Sequence, residues 1–165
     1  MTIPVMTIPV MTATMAVVVG IACVALPVNG AEPASVFQGA AGRRSAWDGV
    51  YTDAQAKRGK ESYEYSCAMC HSPNLEGDPS RDIPALVGEE FLDEWNTRPV
   101  KGLFDVMSKS MPKDAPGSLR AQTYADVLAY LLQSSEFPSG DRDLVPEVAA
   151  LERLYIEKTP PKSDR

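Results

Sequence analysis

Cys67-Ala68-Met69-Cys70-His71 is the stretch on which the reading of this chain turns. Two thiols three positions apart, followed at once by an imidazole, form the attachment signature of a c-type haem. On one helical turn Cys67 and Cys70 present sulfur to the two vinyl edges of a single porphyrin, and His71 sets its ring under the iron as the proximal ligand. The competing readings fail on inventory. A structural zinc site takes four ligands, usually with a second cysteine pair or a pair of histidines, and the chain offers only Cys23, Cys67, Cys70 and His71. A thioredoxin-like dithiol follows a strand in a βαβ unit, whereas the flanks here have helical spacing and no β-branched runs.

Upstream of the motif, Met1 to Ala31 carries no charged side chain, and Met15 to Val28 is an apolar run too short for a comfortable membrane span. It reads as the core of a secretory signal, cleaved after Gly30 or Ala31, although the customary Lys or Arg near the start is missing. The repeat MTIPV-MTIPV-M has no fold meaning and puts the expected start at Met11 or Met15. Cys23 would carry a lipid only if a lipoprotein signal ended there, and Gly20-Ile21-Ala22 lacks the leucine-like residue three positions upstream. Membrane anchoring is therefore not expected once the signal is removed. Export agrees with the motif, because c-type haem is attached outside the inner membrane, so the expected location is the periplasm.

Without residues 1–31 the 165-residue chain leaves about 130, one domain by the usual size range. A formal net charge of −6 argues against nucleic-acid binding and favours partners with a basic docking face. The expected organisation is a signal over 1–31, a flexible Ala/Gly/Ser/Pro-rich lead-in over 32–49, a haem domain over 50–138 and an extension over 139–165. Thr52-Asp53-Ala54-Gln55 is a capping box, with Thr52 as N-cap and Gln55 reaching back to its amide. It predicts a helix from Asp53 to Tyr65 that delivers the chain into Cys67.

Gly59 inside that helix costs about 1 kcal/mol relative to alanine, so it asks for a close neighbour. The expected neighbour is a second helix over Ala121 to Ser134, whose Tyr124, Val127, Leu128, Leu131 and Leu132 recur with helical spacing; Tyr130 would lie over Gly59 beside Tyr63. Shorter helices are predicted over Gly88 to Trp95 and Val100 to Lys109, with another over Glu147 to Tyr155, then a disordered Thr159-Pro160-Pro161-Lys162. No stretch alternates long enough to predict a strand.

The second axial ligand follows from scarcity. His71 is the only histidine, which excludes bis-histidine ligation within the chain. Of the seven methionines, Met1, Met6, Met11 and Met15 fall in the signal that is removed and Met69 sits inside the attachment turn. Met107 lies in a helical pattern where methionine is usually core filler. Met111 is held by Pro112 in a Lys/Asp/Pro/Gly loop that restrains the backbone, which makes it the leading ligand, with Met107 and an open iron as alternatives.

A CxxCH after a helix, a Pro-Ala-Leu-Val-Gly stretch, a Met-Pro and a C-terminal helix with Tyr at the crossing together resemble a class I cytochrome c over Val50 to Gln133. The phrase LFDVMSKSMPKDAPGSL, followed by YADVLAYLL and FPSG, is similar to small bacterial cytochromes c associated with quinoprotein dehydrogenases. The resemblance implies an all-α fold with its terminal helices crossing around one covalent haem c and its iron. It also implies that Pro84 offers the carbonyl that accepts the His71 Nδ1 proton. Trp95 or Tyr124 would form haem wall or bond a propionate.

The expected role is a one-electron carrier without catalysis, taking electrons from a redox protein such as a quinoprotein dehydrogenase and passing them to an oxidase or another cytochrome of the respiratory chain. Two other classes stay open. One is a haem subunit fixed to a dehydrogenase, docked by the extension. The other is an open-site enzyme or gas-binding protein, against which stands the lack of a second histidine for acid-base work.

Overall fold

Residues 42–162 are described by the computed structural model of the chain. The signal, its cleavage point, the thiol of Cys23 and the first part of the lead-in lie outside the described residues.

The first helix, α1, runs Asp53–Ser66, and the Thr52 side chain caps it by accepting the Gln55 amide at 3.0 Å. The other half of the expected capping box is absent. Gln55 is fully buried, and its side chain turns inward: Nε2 donates to Leu144 O at 2.8 Å and to Asp126 Oδ1 at 3.0 Å, and Oε1 accepts from Leu144 N at 2.6 Å. A buried amide that pairs both backbone groups of one extended residue satisfies more polar atoms than a cap would, and that wins here.

After a short α2, Ala68–His71, come α3, Gly88–Trp95, and α4, Val100–Ser110, then α5, Ala121–Ser134. The bounds of α3, α4 and α5 agree with the expected ones to within a residue, and α2 was not expected as a separate helix. Helix α5 is buried on most of its circumference because it serves two clusters. Leu128 and Leu132 join Tyr51, Ala56, Leu103 and Phe104 in the larger, while Val127 and Leu131 join Tyr63 and Leu75 in the smaller. Full burial of each such leucine contributes about 1.5–3 kcal/mol.

The crossing of α1 and α5 is where Gly59 acts. A Cβ there would stand 1.8 Å from the Asp126 carbonyl oxygen and 3.0 Å from Tyr130 Cβ. Backbone thus meets backbone, and the Tyr130 side chain passes alongside to meet Tyr63, ring centroids 5.5 Å apart.

Among the described residues the all-α expectation holds except for one pair of two-residue parallel strands, β1, Arg44–Ser45, and β2, Leu154–Tyr155. Strands this short leave no period in the sequence. They correct both ends of the expected domain. Residues 44–49, read as flexible, form β1 and a 3-10 turn at Ala46–Asp48 with Ala46 fully buried, and the Trp47 ring packs on Phe137 with centroids 4.8 Å apart. The extension is equally integral. Leu144, Leu151, Leu154 and Ile156 are all buried in the larger cluster. Its helix, α6, is only Val148–Leu151, because Leu154 and Ile156 bury on alternate positions of an extended segment rather than on one helical face. Thr159 to Lys162 have no helix or strand. Among the described residues no helix is long and apolar enough to cross a membrane.

Candidate functional site

The attachment turn begins where α1 stops. The Cys67 amide donates to Tyr63 O at 2.8 Å, its backbone then leaves the helix, and the carbonyl of Cys67 starts the next turn by accepting from Cys70 at 3.1 Å and His71 at 2.9 Å. Both thiols and the imidazole therefore sit on a single turn. Cys67 packs against the smaller cluster, Cys70 is exposed, and neither forms a disulfide. Burial, reinforced by the neighbouring Cys70, pushes the Cys67 thiol up to about 11. A redox-active or metal-binding CxxC needs the opposite shift, toward thiolate.

His71 is buried, and its Nδ1 lies 3.0 Å from the Pro84 carbonyl oxygen. A carbonyl only accepts, so Nδ1 carries the ring proton and Nε2 keeps its lone pair for a metal. The loop that brings Pro84 there is closed by Gly77 N to His71 O at 2.9 Å, Ser72 Oγ to Gly77 O at 2.8 Å and the reciprocal pair between Asp78 and Ile83. Gly77 is the residue the sequence reading missed. At φ +69° a Cβ on it would lie 2.4 Å from Ile83 O and 2.6 Å from Pro84 O, inside the carbonyl that the imidazole uses. Its signal was the turn cluster Gly77-Asp78-Pro79, which reads as loop but names no partner. Tyr63 closes the other side, its hydroxyl donating to Ser72 O at 2.5 Å, and burial raises its pKa well above the ordinary tyrosine range.

Met111 follows the last residue of α4 in extended backbone, with its amide donating to Met107 O at 3.2 Å. Its own carbonyl accepts from the Tyr124 hydroxyl at 2.8 Å and from the Gly117 amide at 3.2 Å. The Met111–Pro112 bond is cis. Tyr124 gives its hydroxyl to this loop while its ring meets Phe104 edge-on. Met107 is partly buried against both clusters, as core filler would be. Trp95, the other aromatic expected at the haem, packs on the larger cluster beside Arg98 and lines a surface hollow with Pro99, Lys101 and Val106.

These donors suit a covalent porphyrin: two unpaired thiols on one turn, one imidazole with its tautomer set by a carbonyl, and a methionine on a backbone held from two helices. Among the described residues no group of three or more His, Cys, Asp or Glu is arranged to hold a bare metal ion.

Residues 54–131 match the family model described as cytochrome C oxidase, cbb3-type, subunit III. The matched span starts in α1, includes the attachment turn, Pro84 and Met111, and ends in α5. In comparisons with curated proteins and with solved structures nothing matches.

Proposed function

We propose that this chain, a cytochrome c by its matched segment and hence the bearer of covalently bound haem c with its iron, is an exported one-electron carrier of the periplasm. The observation that carries the reading is the His71 imidazole locked onto Pro84 on the same turn as two unpaired thiols. Cys67 and Cys70 would hold the haem as thioethers, His71 Nε2 would bind the iron and Met111 Sδ would fill the sixth position. Bound there, haem supplies a one-electron couple that a thioether ligand shifts toward the ferrous form.

The rest of the chain's work is to keep that environment from moving. Pro84 fixes the imidazole plane, Tyr124 and Gly117 hold the Met111 backbone, and the α1–α5 crossing ties the two sides together. No second histidine exists to exchange protons with a substrate, which favours a carrier over an enzyme. The donor is read as a redox protein such as a quinoprotein dehydrogenase and the acceptor as an oxidase or another cytochrome, with basic docking faces preferred by the −6 charge.

A second reading, a haem subunit fixed in a larger complex, is favoured by the oxidase subunit named in the matched family. Against it, the extension after Pro138 packs Leu144, Leu151, Leu154 and Ile156 into this chain's own core, which leaves Val145 and Val148 as its exposed large apolar residues. The test is the near-infrared band of Met-to-ferric-iron ligation in the haem-loaded protein. It should be present, should vanish in Met111→Ala and should survive in Met107→Ala. A protein that lacks the band and takes up carbon monoxide without mutation would overturn the carrier reading.

A further inference from the structure

Helices α4 and α6 pack together, and each leaves a valine in solvent: Val106 is 45% and Val148 is 55% exposed. Val145, three residues before Val148, is exposed as well. Ala149 and Ala150 are also exposed, so Leu151 alone carries α6 into the core. Beside Val106 the outer face of α4 is concave. A hollow of about 520 Å³ is lined there by Trp95, Pro99 and Val106 together with Arg98, Lys101 and Glu152. Gly102 keeps it open, because a Cβ at that position would come 3.3 Å from Trp95 Cζ3 and a side chain would lie against the indole. The hollow and Val148 are neighbours. Glu152, which lines the hollow, is one turn after Val148 and donates its amide to Val148 O at 2.9 Å.

The two parts of this face carry opposite charge. Val148 sits between Glu147 and Glu152, both exposed and neither in an ion pair among the described residues. The hollow offers Arg98 and Lys101. Arg98 holds Glu94 at 2.7 Å and Lys101 holds Asp105 at 2.5 Å, which leaves the guanidinium and the ammonium further N–H donors for a second carboxylate. An aliphatic side chain flanked by acids thus stands next to a hollow lined by cations, and each complements the other. Two such features side by side on one face are what a twofold contact between identical chains requires.

We infer that two copies of this chain associate through this face, Val148 of each seated in the Trp95–Val106 hollow of the other, with Glu147 and Glu152 facing Arg98 and Lys101 across the contact. Tryptophan and arginine lining a pocket are the residues on which interfaces most often anchor. The apolar centre is small and the rim is charged, so the dimer forms reversibly and weakens as salt screens the rim. The association is independent of which proteins exchange electrons with the haem.

The test is sedimentation velocity of the haem-loaded full chain from micromolar to millimolar concentration, where a monomer–dimer equilibrium is expected. Because each contact is made twice, Val148→Ser should raise the dimer dissociation constant by about a hundredfold, and Val106→Ser, on the other side of the contact, should raise it as well. Both side chains are exposed in the single chain, so neither change costs core packing. Glu147→Lys with Glu152→Lys should also weaken the dimer. If overall repulsion alone mattered, that change would strengthen it, because it lowers the net charge of an acidic chain. Tyr65→Ser with Met69→Ser, which removes exposed apolar area elsewhere, should leave the constant unchanged. A chain that stays monomeric throughout, a dimer strengthened by the lysine pair, or one weakened as much by the Tyr65 and Met69 changes as by Val148→Ser overturns the inference.

Discussion

Replacing Gly59 by alanine sets helix propensity directly against packing, and the two predict opposite signs. In an exposed helix the change would stabilise the protein by about 1 kcal/mol. At the α1–α5 crossing the new Cβ would lie 1.8 Å from the Asp126 carbonyl oxygen and 2.4 Å from its carbon. The obstacle is helix backbone rather than the end of a side chain, so no rotamer change relieves it, and the helices must part by more than an ångström. Overpacking of this kind costs about 1–3 kcal/mol and occasionally more, so the net change should be a loss that exceeds the propensity gain. For a domain of this size each kcal/mol lowers the melting temperature by about 3–8 °C. The assay is urea and thermal unfolding of the haem-loaded protein, followed by far-ultraviolet circular dichroism. Gly59→Val should lose more than Gly59→Ala. An alanine variant that melts at or above the wild-type temperature would refute the close crossing and the architecture built on it.

Gln55→Leu strands the buried amide and carbonyl of Leu144, each costing about 1–3 kcal/mol, and should lower the urea midpoint clearly; an unchanged midpoint would show that the extension is not held there. Tyr124→Phe removes one hydrogen bond to the Met111 carbonyl, worth about 0.5–1.5 kcal/mol, so the near-infrared band should disappear at a lower temperature than in the wild type while the protein stays folded. For Asp143, the Thr52 hydroxyl and then the Arg58 guanidinium hold the carboxyl below the usual carboxylate range. A lowered folded pKa means that its stabilisation is complete above the unfolded value of about 3.9 and is lost as pH falls through the folded value. Asp143→Asn should therefore flatten the decline of stability with acid below about pH 4, and an identical acid limb would sink that assignment.

What the sequence made legible was whatever repeats or stands alone. The attachment motif, the spacing of Tyr124 to Leu132 and a glycine placed against its helix propensity each declare themselves within a few residues. Long-range pairing does not. Gln55 reads as a capping residue because its local partner is visible, and its choice of Leu144, far along the chain, depends on burial that no local pattern reports. Strands β1 and β2 are too short to show alternation, so the lead-in and the extension read as loose although both enter the core. Gly77 reads as an ordinary turn residue, and its value lies in what a Cβ would strike. Tyr124 was picked out as an aromatic near the site, but its hydroxyl has a backbone partner that only the folded α4–α5 connection supplies.

The central claim, a haem joined to this chain at Cys67 and Cys70, is tested most directly by the intact mass of the purified protein after acid-acetone extraction. One haem retained per chain, and lost on replacement of both cysteines by serine, is the predicted result. A mass equal to that of the bare polypeptide would contradict it.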